Sequence, residues 1–203
     1  MKQVRIKAAL AAGWDATKEH IGLLLTLLIA GWVLQWALGA MGWVGSLVGV
    51  LVSVVLGVVQ QLVFLKVAQG ETVTFSSLSE LPLTPGKVLQ FLWVVFVLVL
   101  MFVAGCILFI LPGIYILFRF MYAPLATLDQ DLSLGEALAE STRLTKGVKW
   151  DLFLFGLAGF GLMLLGLLAL IVGVIPAALT FQVASAWVYL DLKKQCDEGA
   201  LPA

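Results

Sequence analysis

Arg119 is the residue whose placement in this sequence asks for chemistry. It lies within an apolar run, seven residues after Pro112 and ten before Asp129. At about 1.5 Å per helical residue, that spacing puts its guanidinium near the middle of a span. Burying an arginine in hydrocarbon costs roughly 2.5–3.5 kcal/mol on insertion scales, so the residue requires a partner. The polar side chains available are Gln182, at a similar distance after Pro176, Gln60 and Gln61 in an earlier run, and Gln90. Asp129 can reach it only if the chain bends, and Pro124 is the place for a bend. Three readings stay open: snorkelling to phosphate headgroups, a polar clamp between helices, or a site for an anion or lipid headgroup. Arg119, Gln182 and Gln61 form the candidate binding set.

A second pattern concerns packing. Gly45, Gly49, Ser53 and Gly57 recur at every fourth position, with Gln61 continuing the row. Small residues on one ridge let a neighbouring helix backbone approach closely, within the bundle or across a homodimer. Gly159, Gly166 and Gly173 suggest a second seam. Other chemistry is not supplied. The single histidine, His20, sits beside Glu19 at a water boundary, which excludes a histidine metal cluster. Every acidic residue lies outside the apolar runs, so no buried carboxylate is offered for a proton relay. A glycine-rich phosphate loop and a Ser/His pair are also missing from the pattern. The expectation is a non-enzyme with no metal and no cofactor.

The elements that must position these residues follow from composition. The chain has 203 residues, 62% hydrophobic and 12% charged, with 12 basic and 12 acidic side chains. Mean hydropathy is +1.10. Soluble domains carry about 25% charged residues, so a soluble enzyme and a disordered chain are excluded. A nucleic-acid binder would need a basic excess. What remains is an all-α membrane protein of one bundle-sized unit. Cys106 and Cys196 are too few for a disulfide framework and read as a core residue and a free thiol in a charged tail. Charges persist through Lys18 and Glu19, which argues against a cleavable signal peptide.

Apolar runs occupy residues 21–41, 43–65, 88–111, 113–128, 152–175 and 177–190. Tight, uncharged joints at 39–45, Pro112-Gly113 and Ile175-Pro176 alternate with long charged ones. The expected layout is therefore six transmembrane or partly re-entrant helices in three hairpins: 21–65, 88–128 and 152–190. Interfacial segments at 1–20 and 132–148 and a tail at 191–203 complete the single domain. Eleven of the 12 basic residues fall on the side of the long joints, which the positive-inside rule makes cytoplasmic, with both termini inside. Trp36 and Trp43 would mark the outer interface, and Trp14, Trp93, Trp150, Trp187 and Tyr189 the inner one. Residues 113–128 cover roughly 24 Å and 177–190 roughly 21 Å, short of a hydrocarbon core of about 30 Å. Short segments at matching places point to a cavity between them, to tilted helices, or to re-entrant hairpins.

Two charged segments have amphipathic spacing. Ser133 and Glu136 fit a capping box, followed by Leu134, Ala137, Leu138, Ser141 and Val148 on one face. At the N-terminus Ile6, Leu10, Trp14, Thr17 and Ile21 form a similar stripe. Each is expected to lie in the interface as a collar. Ala9-Leu10-Ala11, Thr17-Lys18, Leu24 and Ala30-Gly31 recur at one offset as Ala137-Leu138-Ala139, Thr145-Lys146, Leu152 and Ala158-Gly159. The third hairpin with its collar thus looks like a parallel copy of the first.

The stretch from Leu111 to Leu190 resembles a known family. The carriers are Leu111-Pro112-Gly113-Ile114, Arg119, Ala123-Pro124, Glu136-Ala137-Leu138 with Ser141, and Thr145-Lys146-Gly147 with Trp150. Their order is similar to the glycerophosphodiester-phosphodiesterase membrane-domain-like group, which includes the YciC-like bacterial inner-membrane proteins. The resemblance implies a six-helix inner-membrane protein, and no phosphodiesterase domain is present to carry that activity over. The functional expectation is a role in membrane and lipid homeostasis, engaging lipid headgroups near Arg119. A small transporter or channel with a cavity between the fourth and sixth runs is the alternative. An accessory subunit docking on a membrane-protein partner is the third. Membrane lipids are the expected partners, and nucleic acid is not.

Overall fold

A computed structural model describes residues 2–74, 76–80, 83–108, 110–168 and 173–199. Among these the structure is helical: α1 (Ile6–Glu19), α2 (Ile21–Gly39), α3 (Gly42–Ala68), α4 (Pro85–Leu108), α5 (Ile110–Phe120), α6 (Ala123–Gln130), α7 (Leu134–Thr145), α8 (Lys149–Leu168) and α9 (Val174–Glu198), with a 3-10 turn at Ser76–Glu80. Five helices, α2, α3, α4, α8 and α9, are long and apolar enough to cross a membrane. Their outward faces agree: Trp36, Trp43 and Leu168 are 79%, 77% and 82% exposed, a surface that suits lipid and not water.

Two of the six expected runs differ from that expectation. Residues 113–128 do not form one helix. α5 stops at Phe120, Met121 and Tyr122 turn, and α6 starts again at Ala123 with Pro124 in its first turn. Pro124 has no N–H to return to the carbonyl four residues back, so the helix breaks there. Residues 177–190, by contrast, belong to a helix of 25 residues, roughly 37 Å long. Residues 191–198 are therefore no loose tail. Ala184, Val188, Leu192 and Cys196 repeat every fourth position and all are buried. That stripe carries α9 through its charged end, and Cys196 is a core residue with its thiol free.

Sequence neighbours pack together as α2 with α3, α4 with α5 and α8 with α9, while α9 also lies against α1, α3 and α7. The principal core gathers Tyr122, Leu144, Leu152, Phe155, Tyr189 and Leu192. The rings of Phe155 and Phe181 stack at 5.0 Å across α8 and α9. Tyr189, expected at the inner interface, is instead fully buried.

The collars dock onto the bundle. α7 buries Ala137, Ser141, Leu144 and Thr145, close to the face its pattern predicts. α1 follows its stripe only in part: Thr17 is buried and Ile6 and Leu10 pack against the core, whereas Trp14 and Ile21 are exposed and Ala9 and Gly13, at the stripe's edge, are buried. A Cβ at Gly13 would lie 2.6 Å from Thr180 O and 2.9 Å from Ala184 N, so close approach of α9 selects the small ridge over the bulky one. The repeat is visible in three dimensions. α1 and α7 start at Ile6 and Leu134, α2 and α8 at Ile21 and Lys149, each pair 128 residues apart. Ala9 and Ala137, Thr17 and Thr145, and Leu24 and Leu152 are buried at matching positions.

Candidate functional site

Because α5 ends at Phe120, Arg119 lies one residue from a helix end and not at mid-span. Its Nε donates to Thr142 Oγ1 at 3.3 Å and its Nη1 to Tyr115 Oη at 3.5 Å. The guanidinium carbon also sits 5.3 Å from the Phe120 ring centre, a cation–π distance. The glutamines of the candidate set are elsewhere. Gln182 is exposed on α9, Gln61 is half-buried on α3, and neither bonds to Arg119. Gln90 donates to Leu132 O. Asp129 is taken by Lys193 at 2.6 Å and by the Tyr189 hydroxyl at 2.9 Å, which ties α6 to α9.

Around Arg119 lies a cleft of about 520 Å³ lined by Tyr115, Arg119, Thr142, Lys146, Gly147, Lys149 and Trp150. Three helices meet there: the end of α5, the end of α7 and the start of α8. α7 closes through Gly147, whose φ of +88° is a left-handed conformation that glycine adopts freely. The turn is short, so Lys146 and Lys149 stand close on either side of it. Lys149 Nζ donates to Tyr115 Oη at 2.6 Å and lies 4.0 Å from that ring's centre. One phenol oxygen thus receives both Lys149 and Arg119. Trp150 is 69% exposed at the rim and stacks on Phe153 at 5.2 Å.

Charge separates this cleft from the rest of the protein. Arg5, Lys18, Lys66, Lys87, Arg143, Lys193 and Lys194 each have an acidic partner. Among the described residues five cations have none: Lys2, Lys7, Arg119, Lys146 and Lys149. Three of these line the cleft, and no carboxylate does. The arrangement suits an anion. Among the described residues no group of three His, Cys, Asp or Glu could hold a metal.

The cleft's backbone is held by hydroxyls of α7. Ser141 Oγ donates to Arg119 O at 3.0 Å and accepts from Tyr122 N–H at 3.3 Å. Thr145 Oγ1 lies 3.2 Å from Arg119 O. The broken segment between α5 and α6 leaves backbone groups without helical partners, and buried backbone groups require partners. Ser141 and Thr145 supply that satisfaction.

Sequence reasoning reached Arg119 but missed Tyr115, Thr142 and the two lysines as its neighbours. The available signal was Thr145-Lys146-Gly147 followed by Lys149-Trp150, two lysines and an interfacial tryptophan packed into one turn. The small-residue ridge divides. Gly45 sits against Leu38 of α2 and Met41 of the turn before α3, and a Cβ at Gly49 would lie 3.1 Å from the Gln35 amide nitrogen. Ser53 bonds back to Val50 O at 2.8 Å, and a Cβ at Gly57 would meet nothing within 4 Å. Half of the ridge packs the first hairpin, and half opens onto a groove shared with Trp32 and Gln60. No residue of α9 lines the Arg119 cleft, so it is not a cavity between the fourth and sixth runs.

No protein-family model matches the sequence, and no curated protein or solved structure matches it either.

Proposed function

We propose that this chain is a non-enzymatic integral membrane protein that holds anionic lipid headgroups in the Arg119 cleft and serves membrane or lipid homeostasis. One observation carries the reading: three cations without acidic partners converge on one cleft, at the end of an apolar helix and beside an exposed tryptophan. Lipid as the source of the anion is supported by the flank of the cleft. Phe118 and Phe153 meet edge to face at 5.9 Å just below it, and Leu157 continues that exposed apolar face along α8. A headgroup held by the cations would leave its acyl chains along this furrow. In the same reading the chain forms three hairpins in a bacterial inner membrane, with the cleft and both termini at the cytoplasmic face. It stands with the YciC-like proteins that its C-terminal half resembles.

The test is lipid retention. Protein purified in mild detergent should carry anionic lipid, detected by native mass spectrometry or extraction, and Arg119→Ala should lose most of it. Equal retention by the wild type and the variant would overturn the reading.

A further inference from the structure

We infer that the cleft selects a dianionic phosphate, a headgroup ending in a phosphate monoester, over headgroups that carry a single phosphodiester charge. The inference rests on the headgroup reading above and assigns the chemistry of the ligand. Lys149 and Arg119 both donate to Tyr115 Oη, at 2.6 and 3.5 Å. Two positive nitrogens are therefore held within about 6 Å of each other, close enough to repel. Lys146 adds a third charge at the same mouth, and no lining residue is acidic. A phosphodiester carries one negative charge and leaves most of this set uncompensated. A phosphate monoester carries about −1.5 to −2 near neutral pH and offers three acceptor oxygens. Helix α8 begins at Lys149, so its positive end faces the same place.

The repeat supplies an internal control. In the first copy the residues at the places of Lys146 and Lys149 are Lys18 and Ile21. There the one lysine is neutralised by Asp15 at 2.8 Å. The joint between collar and span therefore does not by itself leave a cation unpaired. At this joint the surplus belongs to the second copy, where the cleft is.

The experiment compares retention of phosphatidate and phosphatidylglycerol by protein reconstituted in phosphatidylcholine nanodiscs with equal amounts of each. Phosphatidate should be preferred by about tenfold. Lys146→Gln, at an exposed side chain, should weaken retention of both lipids and reduce the preference for phosphatidate several-fold. Equal retention of the two lipids, both lost in Arg119→Ala, would overturn dianion selection and leave the headgroup reading standing. Retention of neither would overturn both. Inorganic phosphate at millimolar concentration is the soluble arm. If it displaces phosphatidate, dianion selection is supported with a soluble phosphate as its source; if it does not, the support extends to a lipid-borne monoester.

Discussion

Helices α1 and α7 occupy the same place in two copies of one unit, yet they dock by different means. α1 lies on α9, a continuous helix whose backbone groups are already paired along the contact. Shape is all that is needed there, and Gly13 supplies it by letting Thr180 and Ala184 approach. α7 lies on the broken segment between α5 and α6, where an amide and a carbonyl face it. The residues matching Gly13 and Thr17 are Ser141 and Thr145, and their hydroxyls meet Tyr122 N–H and Arg119 O. Their starts differ as well. α1 is tied by contacts with α9: Gln195 accepts from Gln3 N–H and donates to Gln3 O, both at 3.1 Å, and Arg5 pairs with Asp191. α7 is capped locally, with Ser133 N–H donating to Glu136 at 2.9 Å. The difference teaches where a site can arise on a repeated scaffold. A break in one helix demands polar docking, and that docking fixes Arg119 at the mouth of a cleft.

The largest effect should come from filling the α1 seam. Gly13→Leu places a side chain against backbone atoms of α9 that cannot move independently, and overpacking of that kind costs about 3 kcal/mol. Thermal unfolding in detergent should show a strongly lowered midpoint or no folded protein. A stability close to wild type would mean that α1 is not packed against α9 as described.

Next in size is Ser141→Ala, at the position equivalent to Gly13. It removes no large volume but leaves Tyr122 N–H without its acceptor, at a cost of about 2 kcal/mol. The same variant should weaken anionic lipid retention, because Arg119 loses a backbone anchor. Substituting Gly13→Ser would not have the converse effect, since the seam leaves no room for the added Cβ.

This comparison also shows how much could be read from the chain. The helical class, helices apolar enough to cross a membrane (five, where six were expected), the Ser133–Glu136 cap and the offset of the repeat follow from local patterns. The break at Met121 and Tyr122 was half legible: Pro124 marked the place for a bend, but hydropathy does not register the missing hydrogen bonds that end α5 at Phe120. The length of α9 was hidden by Asp191, Lys193 and Lys194, whose charges mask the fourfold stripe ending at Cys196. The docking face of α1 was misassigned because hydropathy favours Trp14 and Ile21, whereas close approach favours Gly13. Arg119 was found as an unusual charge, but apart from Tyr115, four residues before it, its neighbours Thr142, Lys146 and Lys149 lie 23 to 30 residues further along and meet it only through the fold.

A smaller effect separates the two helix starts by pH. The Ser133 hydroxyl and backbone amide hold the Glu136 carboxyl below the usual glutamate range. A depressed pKa contributes stability that is complete above the unfolded-state value, about 4.3, and is lost as pH falls through the folded value. Amide exchange at residues 134–137 should therefore accelerate as pH drops below about 4 once intrinsic rates are removed. Glu136→Gln should abolish that dependence. The first turn of α1 has no acidic residue and should show none.

The smallest effect is the most discriminating. Thr17 and Thr145 are equivalent, both buried, and both carry a hydroxyl. Thr145 uses it, lying 2.9 Å from Ser141 O and 3.2 Å from Arg119 O. Thr17 Oγ1 has no hydrogen-bond partner among the described residues, and Thr180 Oγ1, on the helix it docks against, has none either. Replacing an unpaired buried hydroxyl by a methyl group of the same shape removes a desolvation penalty and leaves packing intact. Thr17→Val should therefore be neutral or stabilising by up to about 1 kcal/mol, while Thr145→Val should destabilise by about 1 kcal/mol. Two isosteric changes at one place in the repeat would then move the unfolding midpoint in opposite directions or leave only the second visible. Equal losses in both would show that the α1 seam depends on hydroxyl pairing as the α7 seam does, and the contrast between shape and hydrogen bonding would fail.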